Sequence, residues 1–256
     1  MNLSAARVWV TGASTGIGAA LVGPLLVRGA RVAITARRAA LLEAIAHEHA
    51  RTGPTPPLVV PADVTDRSAV NAAARQITAA LGGIDLAVFN AGGHEGGTES
   101  PFCAEPFVAT MALNYFSVVY GLEAVLPDML ARGSGRVAAV ASLAGYRALP
   151  GAASYSASKA AVIHLLESLR FSLEPHGVGV TVVNPGFVRT PLTDRNRFHM
   201  PFLIEPADAA ERIIRGIERD RLEIHFPPQM SWPMKLMRIL PFSLYASGIR
   251  RATRHT

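Results

Sequence analysis

The 256-residue sequence has a single cysteine, Cys103, and no long apolar run. One cysteine excludes a disulfide-bonded scaffold and fits a reducing cytoplasm. Charged residues make up only 17% of the chain and hydrophobic residues 50%, which excludes an intrinsically disordered polypeptide. Because no run of about 18 uninterrupted apolar residues occurs, we expect no membrane-spanning helix. Residues 1–6 lack a basic segment, so we expect no secretory signal.

Acidic residues are absent after Glu223, and the formal net charge of +6 is concentrated there. This segment contains five basic residues, which are Lys235, Arg238, Arg250, Arg251 and Arg254. The rest of the chain is therefore close to neutral and offers no basic face of the kind that binds nucleic acid. We expect no nucleic-acid partner.

Short apolar runs alternate with helix-length segments. We expect strands at residues 7–11, 31–36, 58–60, 84–89, 135–141, 178–183 and 221–226, and helices at residues 17–28, 38–51, 66–81, 105–132, 152–174 and 206–219. The runs lack period-two alternation, which is typical of strands covered on both faces. The pattern predicts an α/β fold, a single doubly wound, Rossmann-like parallel sheet of about seven strands with helices on both faces. Residues 1–226 would form this domain, and residues 227–256 a basic, apolar C-terminal extension of it.

A glycine-rich segment joins the first strand to the first helix. Gly12 permits a sharp turn, Gly16 lets a ligand approach the backbone, and Gly18 lets the helix pack close to the sheet. The N–H groups at a helix N-terminus favour phosphate. We expect a dinucleotide to contact Gly12, Ser14, Thr15, Gly16, Ile17 and Gly18. A purely structural glycine turn is the alternative.

The residues after the second strand predict which dinucleotide binds. A site for NAD would place an acid there to hold the ribose 2′-hydroxyl. This chain has Ala36 followed by Arg37 and Arg38, and an arginine can pair with a 2′-phosphate. We therefore expect NADP(H), with NAD(H) as the alternative if the arginines only begin a solvated helix. Asp63, after the third strand, is either an adenine contact or a loop residue before a helix.

Tyr155 and Lys159 lie four residues apart on one predicted helix and so share a face. A cation about 6 Å from the phenol, at an effective dielectric constant near 20, contributes almost 3 kcal/mol, or about two pKa units. We expect Lys159 to lower the pKa of Tyr155 toward neutrality for acid–base work. Ser142, just past the fifth strand, would hydrogen-bond the substrate oxygen. A solvated surface pair is the alternative for Tyr155 and Lys159.

Taken together, these motifs resemble the short-chain dehydrogenase/reductase family in order and spacing over residues 7–190. The matching segments are Thr11 to Gly18, Asp63-Val64, Asn90-Ala91-Gly92, Asn114, Ser142, Tyr155 to Lys159, and Pro185 to Thr190. The resemblance implies that Tyr155 is the general acid in reduction and the general base in oxidation. It implies that Ser142 orients the carbonyl group, and that Lys159 lowers the pKa of Tyr155 and binds the nicotinamide ribose. Asn114 would hold a water that links Lys159 to a proton relay.

Further cofactor contacts are implied for Asp63, Val64, Asn90, Ala91, Gly92, Tyr155, Lys159, Pro185, Gly186, Val188 and Thr190. The function implied is an NADP(H)-dependent oxidoreductase that interconverts a ketone or aldehyde with a secondary or primary alcohol, acting as a reductase of an apolar carbonyl substrate. An NAD-dependent alcohol dehydrogenase and a non-catalytic nucleotide-sensing protein are the alternatives. Phe102, Phe187, Phe198, Met200, Phe202 and Leu203 form either an apolar substrate pocket or ordinary loop packing.

Histidines give no sign of a metal site. His47 and His49 are two residues apart and do not share a helix face, so we expect no metal. His94 is interpreted as a solvated loop residue rather than a substrate contact.

The C-terminal extension mixes apolar and basic residues. It could cover the cleft, pack on a second subunit or lie in a membrane interface. Pro233 and Pro241 should limit any helix there to short pieces. The resemblance implies a homodimer or a homotetramer. The extension lacks the glycine-rich end by which many relatives form tetramers, and this absence argues against the usual tetramer. We expect a cytoplasmic protein, with peripheral membrane contact as an added hypothesis.

Overall fold

The computed structural model describes residues 1–94, 102–196 and 198–253. Its strands are β1 (Arg7–Thr11), β2 (Arg31–Thr35), β3 (Leu58–Val59), β4 (Leu86–Phe89), β5 (Gly135–Val140), β6 (Val178–Pro185) and β7 (Glu223–Phe226). They form one sheet in the order β3-β2-β1-β4-β5-β6-β7, and every neighbouring pair is parallel. The predicted doubly wound sheet is confirmed, with strand ends that differ from the sequence prediction by only a few residues.

The helices that connect and follow the strands are α1 (Gly16–Val27), α2 (Ala39–Glu48), α3 (Arg67–Leu81), α4 (Glu105–Met111), α5 (Ser117–Arg132), α6 (Ala153–Leu173), α7 (Pro206–Glu218), α8 (Pro228–Ile239) and α9 (Phe242–Thr253). The N-cap of α3 is Asp66, whose carboxylate accepts hydrogen bonds from the backbone N–H groups of Ser68 and Ala69.

The two faces of the sheet carry separate layers of core side chains. In β1, Val8 and Val10 pack with α1 and α7, whereas Trp9 packs with α3, α5 and α6 on the other face. This division follows from the alternation of side chains along a strand. With both faces covered, the carboxyl ends of the strands remain as the edge where a ligand can enter.

The predicted helix over residues 105–132 is not continuous. A π-helical turn, Ala112–Phe116, separates α4 from α5, and Pro127 lies inside α5 without ending it. Such turns insert an extra residue into the helix and often occur at functional sites. The stretch Glu105–Arg132 has the length and hydropathy of a membrane span despite its polar residues, but part of it is buried in the protein, where Val118 and Leu122 pack in the sheet core.

The C-terminal extension forms two helices. Pro233 lies inside α8, which continues to Ile239, and Pro241 lies between α8 and α9. The prediction that both prolines would limit the helices here to short pieces holds at Pro241, which separates two 12-residue helices, but not at Pro233. Met234 of α8 is part of the core on the α6 side of the sheet, which anchors the helix. The basic residue Arg254 lies outside the described residues.

Candidate active site

A cleft of about 540 Å³ opens at the carboxyl ends of the strands. It is lined by the segments that follow β1, β2, β4, β5 and β6, as expected for a doubly wound sheet. A larger cavity of about 660 Å³ lies at the opposite edge, where Arg136 and Asp220 form an ion pair on its wall. The smaller cleft is the candidate site, because it brings together the glycine turn and the Ser142, Tyr155 and Lys159 side chains.

The glycine turn has a shape that larger residues cannot adopt. Gly12 has a φ of +65°, and a Cβ atom there would lie 2.6 Å from the Cα atom of Ala91. A Cβ atom on Gly18 would lie 2.4 Å from the carbonyl oxygen of Gly12. Gly18 therefore keeps α1 close to the strand, whereas the other predicted contacts of this turn, including Ser14, Gly16 and Ile17, line the cleft.

The N-terminus of α1 points its free donors into the cleft. Its N-cap residue, Thr15, makes no side-chain capping hydrogen bond, and the first turn holds no acidic residue. The uncapped N–H groups and the positive end of the helix dipole are suited to a phosphate group. This part of the cleft therefore fits the pyrophosphate of a dinucleotide.

Asn90 locks the neighbouring loop to the glycine turn. Its side-chain amide donates to the carbonyl oxygens of Thr11 (3.1 Å) and Gly12 (3.2 Å). The Thr11 hydroxyl in turn accepts from the backbone N–H groups of Asn90 and Ala91. Asn90, Ala91 and Gly92 all line the cleft, so the predicted site segment is in place.

The two arginines after β2 lie at the outer wall of the cleft. Both are exposed, and the Arg38 guanidinium donates to the hydroxyls of Ser14 (3.0 Å) and Thr15 (3.4 Å). Arg38 thus reaches across to the glycine turn, next to Ala36, where a site for NAD would carry an acid. A guanidinium held there can pair with a further phosphate group.

Asp63 and Val64 have different surroundings. Val64 lines the cleft, but the Asp63 carboxylate accepts from the backbone N–H and the hydroxyl of Thr65 within its own loop. The described lining does not include Asp63. A role for Asp63 at the adenine stays a prediction.

Ser142 and Tyr155 meet on the floor of the cleft. Ser142 follows β5, and its hydroxyl caps the short turn Leu143–Gly145 by accepting from the N–H of Ala144. Tyr155 lies in the first turn of α6, and its side chain is hydrogen-bonded to that of Ser142. Two hydroxyls so placed can contact the same substrate oxygen.

Lys159 and Asn114 lie beneath these hydroxyls. The Lys159 ammonium is buried, donates to the carbonyl of Val140 at 2.8 Å and lies 5.7 Å from the centroid of the Tyr155 ring. Asn114, in the π-helical turn, pairs with the backbone of Gly93 through both polar atoms of its amide. A Cβ atom on Gly92 would lie 3.0 Å from the Lys159 Nζ and 3.1 Å from the Asn114 Oδ1, so a larger residue there would have to displace these groups slightly.

Burial shifts the pKa values of both ionisable groups on this floor. It raises the pKa of Tyr155, and the hydrogen bond with Ser142 offsets only part of that rise. It lowers the pKa of Lys159 to about 8. The net rise is opposite to the predicted lowering of the Tyr155 pKa, because burial disfavours the charged form of each group.

The segment after β6 supplies the far wall. Pro185, Gly186, Val188 and Thr190 all line the cleft. Their polar atoms are partly engaged within the protein, since the Gly186 N–H donates to the carbonyl of Phe226 and the Val188 carbonyl accepts from the hydroxyl of Thr193. The predicted contact of Val188 and Thr190 with a carboxamide stays a prediction.

The phenylalanine-rich loops pack mainly on themselves. The rings of Phe187 and Phe198 lie 5.8 Å apart, and those of Phe102 and Phe107 lie 4.8 Å apart. The described cleft lining includes none of the six residues considered for an apolar pocket, which favours the alternative of loop packing.

Comparison with known proteins identifies the family. A family model described as short chain dehydrogenase matches residues 6–200. The chain belongs to the short-chain dehydrogenase family. The matched residues include the glycine turn, Ser142, Tyr155 and Lys159, so the whole constellation on the cleft floor lies inside the shared region.

Two relatives of this short-chain dehydrogenase illustrate its range. An uncharacterized oxidoreductase of Myxococcus xanthus is 42% identical over 246 residues, which cover 94% of this chain and 95% of the relative. The 2-(R)-hydroxypropyl-CoM dehydrogenase of Xanthobacter autotrophicus is 38% identical over 187 residues, covering 72% and 75%. These similarities make the protein an oxidoreductase of this family.

Solved structures of other short-chain dehydrogenases share the fold. One from Burkholderia phymatum, in complex with NAD, has a TM-score of 0.84 at 23% identity and covers 93% of this chain and 94% of its own. One from Mycobacterium marinum has a TM-score of 0.80 at 28% identity and covers 88% and 95%. The seven-stranded Rossmann-like fold is thereby confirmed.

In this dehydrogenase His94 lines the cleft, although the sequence indicated a solvated loop residue. Its ring packs edge-on against Tyr155 with centroids 6.0 Å apart, and lies 3.5 Å from the hydroxyl of Ser154. The sequence signal for such a role was its position four residues after Asn90, close to the end of β4. Nothing in the sequence alone indicates that the loop turns toward the cleft at this residue.

The C-terminal helices hold the segment that connects Ser142 to Tyr155, a role that the sequence did not reveal. Tyr146 donates to Glu223, and Glu223 also accepts from Lys235 of α8 at 2.5 Å.

Arg147 donates to the carbonyl of Leu240 at 3.1 Å and lies 4.8 Å from the centroid of the Tyr245 ring. The hydroxyl of Tyr245 donates to the carbonyl of Ala148. We call residues 146–148 the clamped segment. The described cleft lining includes no residue of α8 or α9. The extension therefore contacts the clamped segment without lining the cleft itself.

Proposed function

We propose that the protein is an NADP(H)-dependent oxidoreductase that interconverts a ketone or aldehyde with an alcohol, and that it works as a reductase of an apolar carbonyl substrate. The observation that carries the proposal is the meeting of Ser142 and Tyr155 above the buried Lys159 ammonium, beside the glycine turn. A relative named for dehydrogenation of a hydroxypropyl group, at 38% identity, supports a carbon-bound hydroxyl as the reacting group.

The chain's own groups fit a dinucleotide. The uncapped N-terminus of α1 would hold the pyrophosphate, and the Arg38 guanidinium, fixed by Ser14 and Thr15, would pair with a 2′-phosphate. The Lys159 ammonium would hydrogen-bond ribose hydroxyls, since it lies within the same cleft. When bound, the nicotinamide supplies the hydride for reduction or accepts it in oxidation.

Proton transfer falls to Tyr155. In reduction its hydroxyl donates a proton to the substrate oxygen while the carbonyl carbon gains the hydride, and in oxidation the phenolate takes the proton back. Ser142 donates a hydrogen bond to the same oxygen and holds it in line with the phenol. Because burial raises the pKa of Tyr155, the phenol is protonated at neutral pH, which is the form that donates the proton in reduction.

The cofactor preference is tested by fluorescence titration with NADPH and NADH. We expect the wild-type protein to bind NADPH at least tenfold more tightly, a difference of about 1.4 kcal/mol. The double substitution Arg37→Ala/Arg38→Ala should remove most of that difference and leave NADH binding unchanged. Arg219→Ala, which removes an exposed arginine outside the cleft lining, is the matched control.

Turnover separates the proposal from its alternatives. Apolar ketones offered with NADPH should be reduced by the wild-type protein, and Tyr155→Phe should abolish reduction while NADPH still binds. Tighter binding of NADH would favour the NAD-dependent alcohol dehydrogenase. Binding of either nucleotide without turnover of any ketone or alcohol would favour the nucleotide-sensing protein.

A further inference from the structure

The outward face of α8 carries an apolar stripe. Trp232, Leu236 and Ile239 are 63%, 61% and 75% exposed. Their spacing of four and three residues puts them on one side of the helix. The side chains of Ser231 and Met234 are buried on the opposite side. The stripe is therefore left over after α8 has packed on the sheet.

The last helix has little contact with the rest of the protein. Among the side chains of α9 that the structure describes, only that of Tyr245 is buried, while Phe242 and Leu244 are 73% and 61% exposed. A helix of about 12 residues is marginal in water without tertiary packing. Its neighbour α8 adds the exposed stripe, so the two helices together present apolar side chains that no described part of the chain covers.

The charge of this surface is of one sign. Residues 224–253 contain no Asp or Glu. Lys235 and Arg238 are balanced by Glu223 and Glu167, at 2.5 Å and 3.7 Å. Arg250 and Arg251, in the last turn of α9, are exposed and have no acidic partner within the described part of the chain.

Three ligands for this surface can be compared by their charge and their apolar character: a second copy of the chain, a nucleic acid and an anionic bilayer. A second copy using the same surface would bring two positively charged faces together, because a twofold interface pairs a patch with itself. A nucleic acid would match the charge but offers no hydrocarbon for Leu236 and Ile239. An anionic bilayer surface matches both features, since its headgroups attract arginine and its acyl boundary accepts tryptophan and aliphatic side chains.

We propose that α8 and α9 form a surface that binds anionic lipid bilayers, with the stripe of Trp232, Leu236 and Ile239 at the acyl boundary and Arg250 and Arg251 at the headgroups. The described lining of the cleft includes no residue of α8 or α9, so this surface is distinct from the cleft. This inference does not depend on the reaction proposed above.

The test is vesicle cosedimentation of the full chain, combined with tryptophan fluorescence. The protein has two tryptophans, and Trp9 is fully buried, so a change in emission on adding vesicles reports Trp232. We expect binding to vesicles of phosphatidylcholine with phosphatidylglycerol, a blue-shifted emission that Trp232→Phe abolishes, and at least about tenfold weaker binding to phosphatidylcholine alone.

Variants assign the binding to the surface. Leu236→Glu/Ile239→Glu and Arg250→Glu/Arg251→Glu should each weaken binding by about tenfold or more, with an unchanged far-UV circular dichroism spectrum to show that the fold is intact. Val27→Glu is the matched control, since Val27 is 70% exposed but lies on α1. This variant should bind vesicles as the wild type does.

Several results would overturn the proposal. One is the absence of vesicle binding at low salt by a folded protein, and another is equal binding to neutral and anionic vesicles. A lipid-free dimer that Leu236→Glu/Ile239→Glu converts to a monomer in light scattering would assign the surface to a second copy. Binding to single-stranded RNA, without any vesicle-induced change in Trp232 emission, would assign it to nucleic acid.

Discussion

The Lys159 ammonium donates a hydrogen bond to the Val140 carbonyl, at the point where β5 ends below the cleft. Lys159 is only 3% exposed, and burial is the sole cause of its lowered pKa. A cation in such a place disfavours folding, because a charge loses its hydration when it is buried. The role proposed for Lys159 next to Tyr155 would account for a cation in such a place.

Lys159→Met should therefore separate stability from activity. A pKa of about 8 in the folded protein, against 10.5 in the unfolded chain, corresponds to about 3 kcal/mol that opposes folding at pH 7. The Val140 carbonyl loses its partner, which costs about 1–3 kcal/mol. We expect turnover to be lost while the free energy of unfolding stays level or rises by up to about 2 kcal/mol.

The pH dependence checks the origin of this effect. Between pH 8 and 10.5 the unfolded chain binds more protons at Lys159 than the folded protein does, so wild-type stability gains with rising pH. In paired thermal denaturation, the stability of the wild type relative to Lys159→Met should therefore rise from pH 7 to 9.5. A difference that stays constant over this range would argue against a charged lysine on the cleft floor.

Ser142→Ala tests the hydroxyl that meets Tyr155. Loss of one hydrogen-bond donor to the reacting oxygen lowers kcat by about 100-fold. Because the Ser142 hydrogen bond lowers the pKa of Tyr155, its removal should also move the midpoint of the pH profile for alcohol oxidation to higher pH. Ser142→Thr, which keeps the hydroxyl, should restore the wild-type midpoint. A midpoint that Ser142→Ala leaves unmoved would mean that Tyr155 titrates independently of Ser142.

Gly12→Ala should damage the nucleotide site through a steric clash. The new methyl group would lie 2.6 Å from the Cα atom of Ala91, and the backbone has a φ of +65°. Gly133 has nearly the same conformation, with a φ of +62°, but no atom within 4 Å of an added Cβ. Gly133→Ala should cost about 1 kcal/mol from strain alone.

The comparison of the two glycine variants isolates the clash. In urea denaturation, Gly12→Ala should lose at least about twice as much stability as Gly133→Ala, since overpacking adds about 1–3 kcal/mol. In titrations with NADPH, only Gly12→Ala should lose affinity. Equal behaviour of the two variants would show that the turn can move away from Ala91.

Lys235→Met tests the support of the clamped segment. The Glu223 and Lys235 side chains are 30% and 28% exposed, and Lys235 is the sole cation that hydrogen-bonds the Glu223 carboxylate among the described residues. We expect a loss of about 1–3 kcal/mol in unfolding free energy, and partial recovery in Glu223→Gln/Lys235→Met, because the unpaired charge is then removed as well. A fall in kcat at unchanged NADPH affinity would tie the pair to the position of Ser142 and Tyr155.

Acid should remove this contribution. Burial raises the pKa of Glu223, but hydrogen bonds from Lys235 and Tyr146 outweigh it and leave the pKa below its usual 4.5. The stabilisation is therefore present above about pH 4.5 and is lost as the pH falls through the folded-state pKa. The stability difference between wild type and Lys235→Met should decrease in denaturation series at successively lower pH. Persistence of the full difference in strong acid would contradict the ion pair.

Local sequence was sufficient for most of the sheet and the cleft floor. Buried parallel strands appear as short apolar runs, so β1 and β5 could be located from composition. The spacing of Tyr155 and Lys159 sets their common face on a helix, and the positions of Gly12 and Gly18 set the turn.

The remaining features depend on contacts between distant parts of the chain. The π-helical turn contains Asn114, whose side chain pairs with Gly93, 21 residues earlier. The rise in the pKa of Tyr155 reflects burial by several strands, which a pairwise estimate with Lys159 leaves out. No pattern around Tyr245 indicates that its hydroxyl will reach Ala148.

That last contact has a consequence for the timing of synthesis. Ala148 and Tyr245 are 97 positions apart, so the residues around Ser142 and Tyr155 leave the ribosome well before their support. At about 5–20 residues per second, the delay is roughly 5–20 s. A nascent chain can therefore complete its glycine turn early, while the clamped segment waits for the final helix.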